Sequence, residues 1–243
     1  MTKIIAHRGY SSLYIENSIE SFRKAYEHMA DGVELDVHLS KDGEIIVHHD
    51  KTINRMTTKK GSIKNLNSQA LSQIGLKKTK HSSYQTIPLL ADVLYHLEPT
   101  PLLINIEVKS PSVEMCNKLI EVIESFDIGD RVIISSFHLD FLKMIKEHNV
   151  DIHTAFLYSK LIGNLEQTIK DNYIDSIHPH LLFASRSIMD QVMPLNAKVR
   201  VYTVNKKADI EYYIGIGVDA IITDKVELAY QIREAMNLSL IHI

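Results

Sequence analysis

Two short segments carry ionisable side chains at every second position. In "VELDVHL" (33–39), Glu34, Asp36 and His38 alternate with Val33, Leu35, Val37 and Leu39; in "LLINIEVK" (102–109), Asn105, Glu107 and Lys109 alternate with Ile104, Ile106 and Val108. Residues two apart on a β-strand share a face, so each segment sets carboxylates on one side and aliphatic groups on the other. An edge strand could carry such acids in water. Inside a protein, charge is costly unless it is paired or bound to metal, and two strands with one pattern point to a shared polar interior. "KIIAH" (3–7) ends on His7 with Arg8 next, and "EIIVHH" (44–49) ends on His48 and His49 with Asp50 next. Three carboxylates (Glu34, Asp36, Glu107), two histidines (His7, His49) and two cations (Arg8, Lys109) form a coherent set. Oxygen ligands without cysteine suit a hard cation such as Ca²⁺ or Mg²⁺, with zinc a second choice. Two imidazoles suit a general acid and a general base, and the cations suit an anionic substrate. Cleavage of a phosphoester is the reaction class that uses all three.

The elements that must position these groups follow from periodicity. Further strand-like runs are "RVIISSF" (131–137), "DIHTAFL" (151–157), "IDSIH" (174–178), "KVRVYTV" (198–204) and "DAIIT" (219–223). Helical stretches fall between most of them, at 112–126, 138–148, 160–172, 185–193, 206–216 and 225–236. The clearest is 17–30, where Phe22, Ala25, Tyr26 and Met29 repeat at three and four, Asn17 with Glu20 makes a capping box and Gly32 follows the end. Alternating strands and helices imply a parallel sheet, and eight or nine strands in 243 residues predict a slightly distorted (β/α)8 barrel forming one domain over 1–243. The Lys-Asp-Gly turn at 41–43 predicts a hairpin that sets residue 49 roughly opposite 34. Residues 51–86, polar and rich in Lys, Ser and Thr, read as an insertion after the third strand, lying over one barrel end with one short helix near 67–74.

Composition narrows the function class. With 27 Lys and Arg against 30 Asp and Glu, the net charge of −3 argues against a nucleic-acid partner. The single cysteine, Cys116, excludes an intramolecular disulfide and a Cys-rich zinc site. No apolar run spans a bilayer and no basic-then-apolar leader opens the chain, so a cytoplasmic protein starting at Met1 without a stable membrane anchor is expected. The apolar tail "NLSLIHI" (237–243) suits packing or weak association. His38 and His48 read as packing groups, Thr203 and Asn205 as polar ends of a late strand that either line the barrel mouth or serve structure alone, and "HPH" (178–180) as a surface loop because its proline makes a turn.

"HRG" (7–9) with "EN" (16–17), "ELDVHLSKDGEIIVHHD" (34–50), "IPLLADVL" (87–94), "INIEVK" (104–109), "SSF" (135–137) and "YTVN…GVDAIITD" (202–224) resemble, block by block and in order, the glycerophosphodiester phosphodiesterase family. The resemblance implies a TIM barrel with an insertion after "HD", a bound divalent cation, and hydrolysis of glycerophosphodiesters to glycerol 3-phosphate and an alcohol. It implies His7 and His49 as catalytic acid and base, Glu34, Asp36 and Glu107 as metal ligands, and Arg8 and Lys109 on the phosphate. Asn17 resembles the family's site asparagine. Tyr202 stands where the family usually has tryptophan, on the pocket wall, and Ile15 replaces the usual proline before "EN". The alternatives are a lysophospholipase-D-like enzyme acting on a lipid and a non-catalytic barrel that binds glycerophosphodiesters; the resemblance leaves open whether water or the glycerol 2-hydroxyl attacks.

Overall fold

Eight of the nine short strands alternate with helices and close on themselves. A computed structural model of the chain describes residues 1–241. Strands β1 (Lys3–His7), β2 (Gly32–Leu39), β4 (Leu103–Val108), β5 (Val132–Ser136), β6 (His153–Tyr158), β7 (Ser176–Pro179), β8 (Lys198–Val201) and β9 (Ala220–Thr223) pair in parallel, and β1 pairs with both β2 and β9. The result is a closed eight-stranded barrel. The ninth strand, β3 (Ile45–Val47), lies outside the ring, antiparallel to β2.

Helices α1 (Ile19–Glu27), α2 (Ser68–Ser72), α3 (Leu90–Leu97), α4 (Val113–Glu124), α5 (Leu139–His148), α6 (Leu165–Asp171), α7 (Arg186–Val192), α8 (Lys207–Gly215) and α9 (Val226–Ile241) complete the described residues. The main core lies between barrel and helices, where outward residues such as Val33, Leu35, Ile104 and Ile134 meet Leu94, Leu119 and Leu142. Inside the barrel a thin apolar layer of Ile5, Ala220 and Ile222 packs against Tyr202. The insertion has its own core, with Ile53, Ile63, Leu71, Ile74 and Leu76 packed on Ile15 and Ile46.

Four local expectations are corrected. The capping box of α1 is Ser18 with Ser21, not Asn17 with Glu20; Asn17 sits in the left-handed region at φ 54° and turns its amide inward. The hairpin pairs Val37 with Val47 and Leu39 with Ile45, so residue 49 continues toward 35, not 34. The turn itself is Lys41–Gly43 as expected, closed by the Ser40 amide donating to the Glu44 carbonyl at 2.9 Å. Helix α3 is not among the expected helices; it is only eight residues long, with Leu90, Val93, Leu94 and Leu97 buried on one face. His178 is no surface residue: it lies fully buried in β7. Pro179 ends that strand, where it lacks only an N–H and its carbonyl still accepts from the Tyr202 amide. The tail from 237 falls largely outside the residues whose side chains are described. Among the described residues no helix is long and apolar enough to cross a membrane.

Candidate active site

Barrel register brings the acids together. His7 is level with Glu34, Glu34 with Asn105, and Asp36 with Glu107. Glu34, Asp36 and Glu107 are all buried, and one carboxylate oxygen from each lies within 4.8 Å of the others. Glu34 Oε1 has no hydrogen-bond partner; Asp36 Oδ1 has the Lys109 ammonium at 3.2 Å but no aligned hydrogen bond. Burial, then the Asp36 charge, pushes the Glu34 carboxyl up to about 8. Burial and Asp36 likewise raise Glu107. Burial works to raise Asp36 too, but Lys109, Arg8 and His49 outweigh it and hold that carboxyl below its ordinary range. Crowded hard oxygens with unused lone pairs fit one divalent cation. Asn17 clamps the central acid: its Nδ2 donates to Asp36 Oδ2 at 2.8 Å and its Oδ1 accepts from the Asp36 amide at 3.2 Å.

Two imidazoles flank the triad, each with a carboxylate behind it. His7 Nδ1 lies 2.7 Å from Asp224 Oδ1, and His49 Nδ1 lies 2.7 Å from Asp50 Oδ1. An ionised carboxylate only accepts, so both Nδ1 atoms carry the proton and both Nε2 atoms are left for chemistry. Burial works to lower the His7 pKa, but the Asp224 hydrogen bond and the Glu34 charge win and raise it. Asp224 is fixed in turn by Asn205 Nδ2 at 2.6 Å and the Ser11 hydroxyl at 3.1 Å. His38 supports the other dyad: with Nε2 2.9 Å from the His49 carbonyl, it donates there and accepts from Ser110 at 3.2 Å through Nδ1.

The cations stand over the same acids. Lys109 Nζ is 2.6 Å from Glu107 Oε1, and Arg8 Nε is 3.3 Å from Asp36 Oδ2. Arg8 and Gly9 both have positive φ, and this turn aims the Arg8 amide at Glu34 Oε2, 2.9 Å away. At Gly9 a Cβ would stand 2.3 Å from the Ser21 hydroxyl and 2.7 Å from Ser21 backbone, so only glycine fits. Arg8 also reaches Glu16, and Arg55 of the insertion joins Glu16 Oε1 at 2.7 Å to Asp50 Oδ2 at 2.7 Å. Arg55, followed by His49, holds Asp50 below the ordinary carboxylate range.

Arg55 thereby ties Arg8, through Glu16, to the His49 dyad. Its own exposure makes its ion pairs weak contributors to stability, each about 0.2–1 kcal/mol. Arg55→Met is expected to lower kcat/KM by roughly tenfold, equivalent to about 1.4 kcal/mol of transition-state positioning, while thermal unfolding shifts little. Steady-state kinetics beside a melting curve checks this; parallel losses in both would make Arg55 merely structural.

The structure thus gathers His7, Arg8, Asn17, Glu34, Asp36, His49, Glu107 and Lys109 at the C-terminal end of the barrel. Tyr202 lies at the same end, edge-on to Phe137 and His180, with its hydroxyl donating to the Tyr158 carbonyl at 3.3 Å. Sequence reasoning missed Asp224 as the partner of His7 and Glu16 with Arg55, and it named Asn205 at the barrel mouth without its role of holding Asp224. The signal for the first was present in "TD" at the end of the last strand.

Comparison with known proteins agrees with this geometry. The model of the "Glycerophosphoryl diester phosphodiesterase family" matches residues 7–228. A Bacillus altitudinis protein named glycerophosphodiester phosphodiesterase is 36% identical over 97% of this chain and 100% of its own length. One of the same name from Caldanaerobacter subterraneus is 34% identical over 93% of this chain and 95% of its own. A solved Oleispira antarctica phosphodiesterase, in complex with the product sn-glycerol-3-phosphate, superposes with a TM-score of 0.86 over 98% of this chain and 97% of its own, at 23% identity. The chain belongs to the glycerophosphoryl diester phosphodiesterase family and is an enzyme of that family.

Proposed function

We propose that the chain hydrolyses small glycerophosphodiesters, such as glycerophosphocholine and glycerophosphoethanolamine, to sn-glycerol 3-phosphate and an alcohol, using one divalent cation, Ca²⁺ or Mg²⁺. The observation that carries this is the buried triad of Glu34, Asp36 and Glu107 flanked by two imidazoles whose Nδ1 atoms are each held by a carboxylate. The named activity of the two relatives and the product bound by the Oleispira protein support the substrate class.

Glu34, Asp36 and Glu107 would hold the cation, which when bound neutralises charge on the phosphoryl oxygens. Arg8 and Lys109 add fixed positive charge on the substrate phosphate. One histidine Nε2 takes the proton of the attacking hydroxyl, from water or the glycerol 2-hydroxyl. The other gives its proton to the alcohol oxygen as that oxygen leaves phosphorus. In the step that cleaves the diester one of His7 and His49 is thus the base and the other the acid, while Asp224 and Asp50 keep each ring oriented. Asn17 acts through Asp36 by fixing its carboxylate, and Tyr202 with Phe137 walls the mouth.

Residence in the cytoplasm and a part in glycerol and lipid metabolism follow from this reading. A lysolipid substrate is the second reading, favoured by the exposed Leu161 and Leu182 that follow β6 and β7 at the catalytic end. The purified protein should release glycerol 3-phosphate from glycerophosphocholine, stop in EDTA, and resume with Mg²⁺ or Ca²⁺. Faster cleavage of lysophosphatidylcholine would transfer the proposal to the lipid. Silence on both substrates from folded, metal-loaded protein would leave a non-catalytic barrel.

A further inference from the structure

The opposite end of the barrel holds a second cavity of about 730 Å³, lined from the first residues of the strands, Lys3, Leu103, Val132, His153 and Lys198, together with Arg200. The layer of Ile5, Ala220 and Ile222 lies within the barrel above it. Arg200 projects into the barrel from β8, level with Ala220, and is 7% exposed. Buried arginines ordinarily face a carboxylate, because an unpaired buried charge is costly. Among the described residues no carboxylate lies within ion-pair distance of this guanidinium; its one hydrogen-bond contact is His153 Nε2 at 3.4 Å. The nearby acids are engaged elsewhere: Asp219 with Lys198 and the Val199 amide, and Asp175 with Lys146. Burial lowers the Arg200 pKa to about 10, which still leaves it charged at neutral pH. The walls carry Lys3, Lys198 and Arg200 against Asp130 and Asp219, with Arg233 already paired to Asp31, which leaves a small excess of positive charge around a partly open volume.

We propose that this lower cavity is a binding site for a phosphate dianion, with Arg200 as its central ligand and Lys3 and Lys198 at its rim. A guanidinium presents paired donors that match phosphate oxygens, and the cavity exceeds inorganic phosphate enough to admit a phosphomonoester. The site is separate from catalysis, since none of its residues touches the acidic triad or the two dyads.

The test is a titration of isotope-labelled protein followed by NMR, with inorganic phosphate in one arm and glycerol 2-phosphate in the other, at ionic strength held constant with NaCl. The amides of Lys3, Leu103 and Val218 and the Arg200 Nε–H should shift and saturate independently of the Arg8 and Lys109 amides. Tighter binding of the monoester would identify the organic source, and equal binding the free anion. Arg200→Met should weaken binding about tenfold or more, the loss of one charged hydrogen-bonding ligand, with turnover of glycerophosphocholine unchanged. Lys198 is half exposed, so Lys198→Glu should fold in any case and also weaken binding. Shifts confined to the catalytic end, equal shifts with NaCl alone, or unchanged affinity in both variants would overturn the proposal.

Discussion

Replacing either His7 or His49 by alanine is expected to lower kcat by about 10²–10⁴-fold, the usual contribution of a positioned proton donor or acceptor. Both rings are partly exposed, so truncation should leave the fold intact, and circular dichroism can verify that. The dyads make the effect specific. Each Nδ1 is committed to a carboxylate at 2.7 Å, so only one nitrogen per ring can serve the reaction and no neighbour can replace it. The substrate distinguishes the two roles. A diester with a nitrophenol leaving group needs little protonation, so the variant lacking the acid should recover most of its rate on it, whereas the variant lacking the base should not. Near-normal turnover by both folded variants would remove the histidines from the mechanism.

The second large effect concerns Asp36. Its carboxylate is buried between Arg8 and Lys109, with Asn17 completing its hydrogen bonds. Asp36→Asn keeps the shape and removes the charge that Arg8 and Lys109 share, leaving Arg8 to Glu16 and Lys109 to Glu107. Because neither cation is left alone, the metal-free protein should lose only about 1–3 kcal/mol, the range for hydrogen bonds to charged groups, whereas binding of the divalent cation should be abolished. Urea unfolding and metal titration measure the two losses.

The titrations in the same cluster carry definite signs. Asp36, held below its ordinary pKa, stabilises the fold above about 3.9, and that support disappears as pH falls through the lower folded value. Glu34 runs the other way. Its folded form keeps a proton up to about 8, so stability falls as pH rises from about 4.3 to 8. His7, raised above 6.5, adds stability that is full below that value and lost as pH climbs through its folded pKa. Metal-free protein should therefore be more stable at pH 5 than at pH 8, and the divalent cation should flatten that slope. A metal-free protein equally stable at both would contradict the crowding of the triad.

Much of this was legible in the residues because alternation on a strand is a local property. "VELDVHL" and "INIEVK" announce their acidic faces without any knowledge of their neighbours, and nine strand-like runs alternating with helices leave few architectures but the barrel. What could not be read depended on closure or on the competition between two good local uses of one residue. Asn17 is a competent helix cap, but Ser18 caps as well, and only Asn17 can reach Asp36 by adopting positive φ. Proline in "HPH" suggested a turn, yet at the end of β7 it costs no needed donor, and His178 entered the interior. Arg55 sits in a polar stretch without periodicity, so its hold on Glu16 and Asp50 is visible only when the insertion has folded over the barrel end.

The pairing of His7 with Asp224 sets a condition on when the protein can work. The two residues lie 217 positions apart, one at the end of the first strand and one just past the last. During synthesis the imidazole leaves the ribosome 217 residues before its carboxylate. A nascent or truncated chain can hold the clustered acids of β2 and β4 and still lack an oriented His7. Onset of phosphodiester cleavage in a translation mixture would therefore report the docking of β9 against β1, and so time the completion of the barrel.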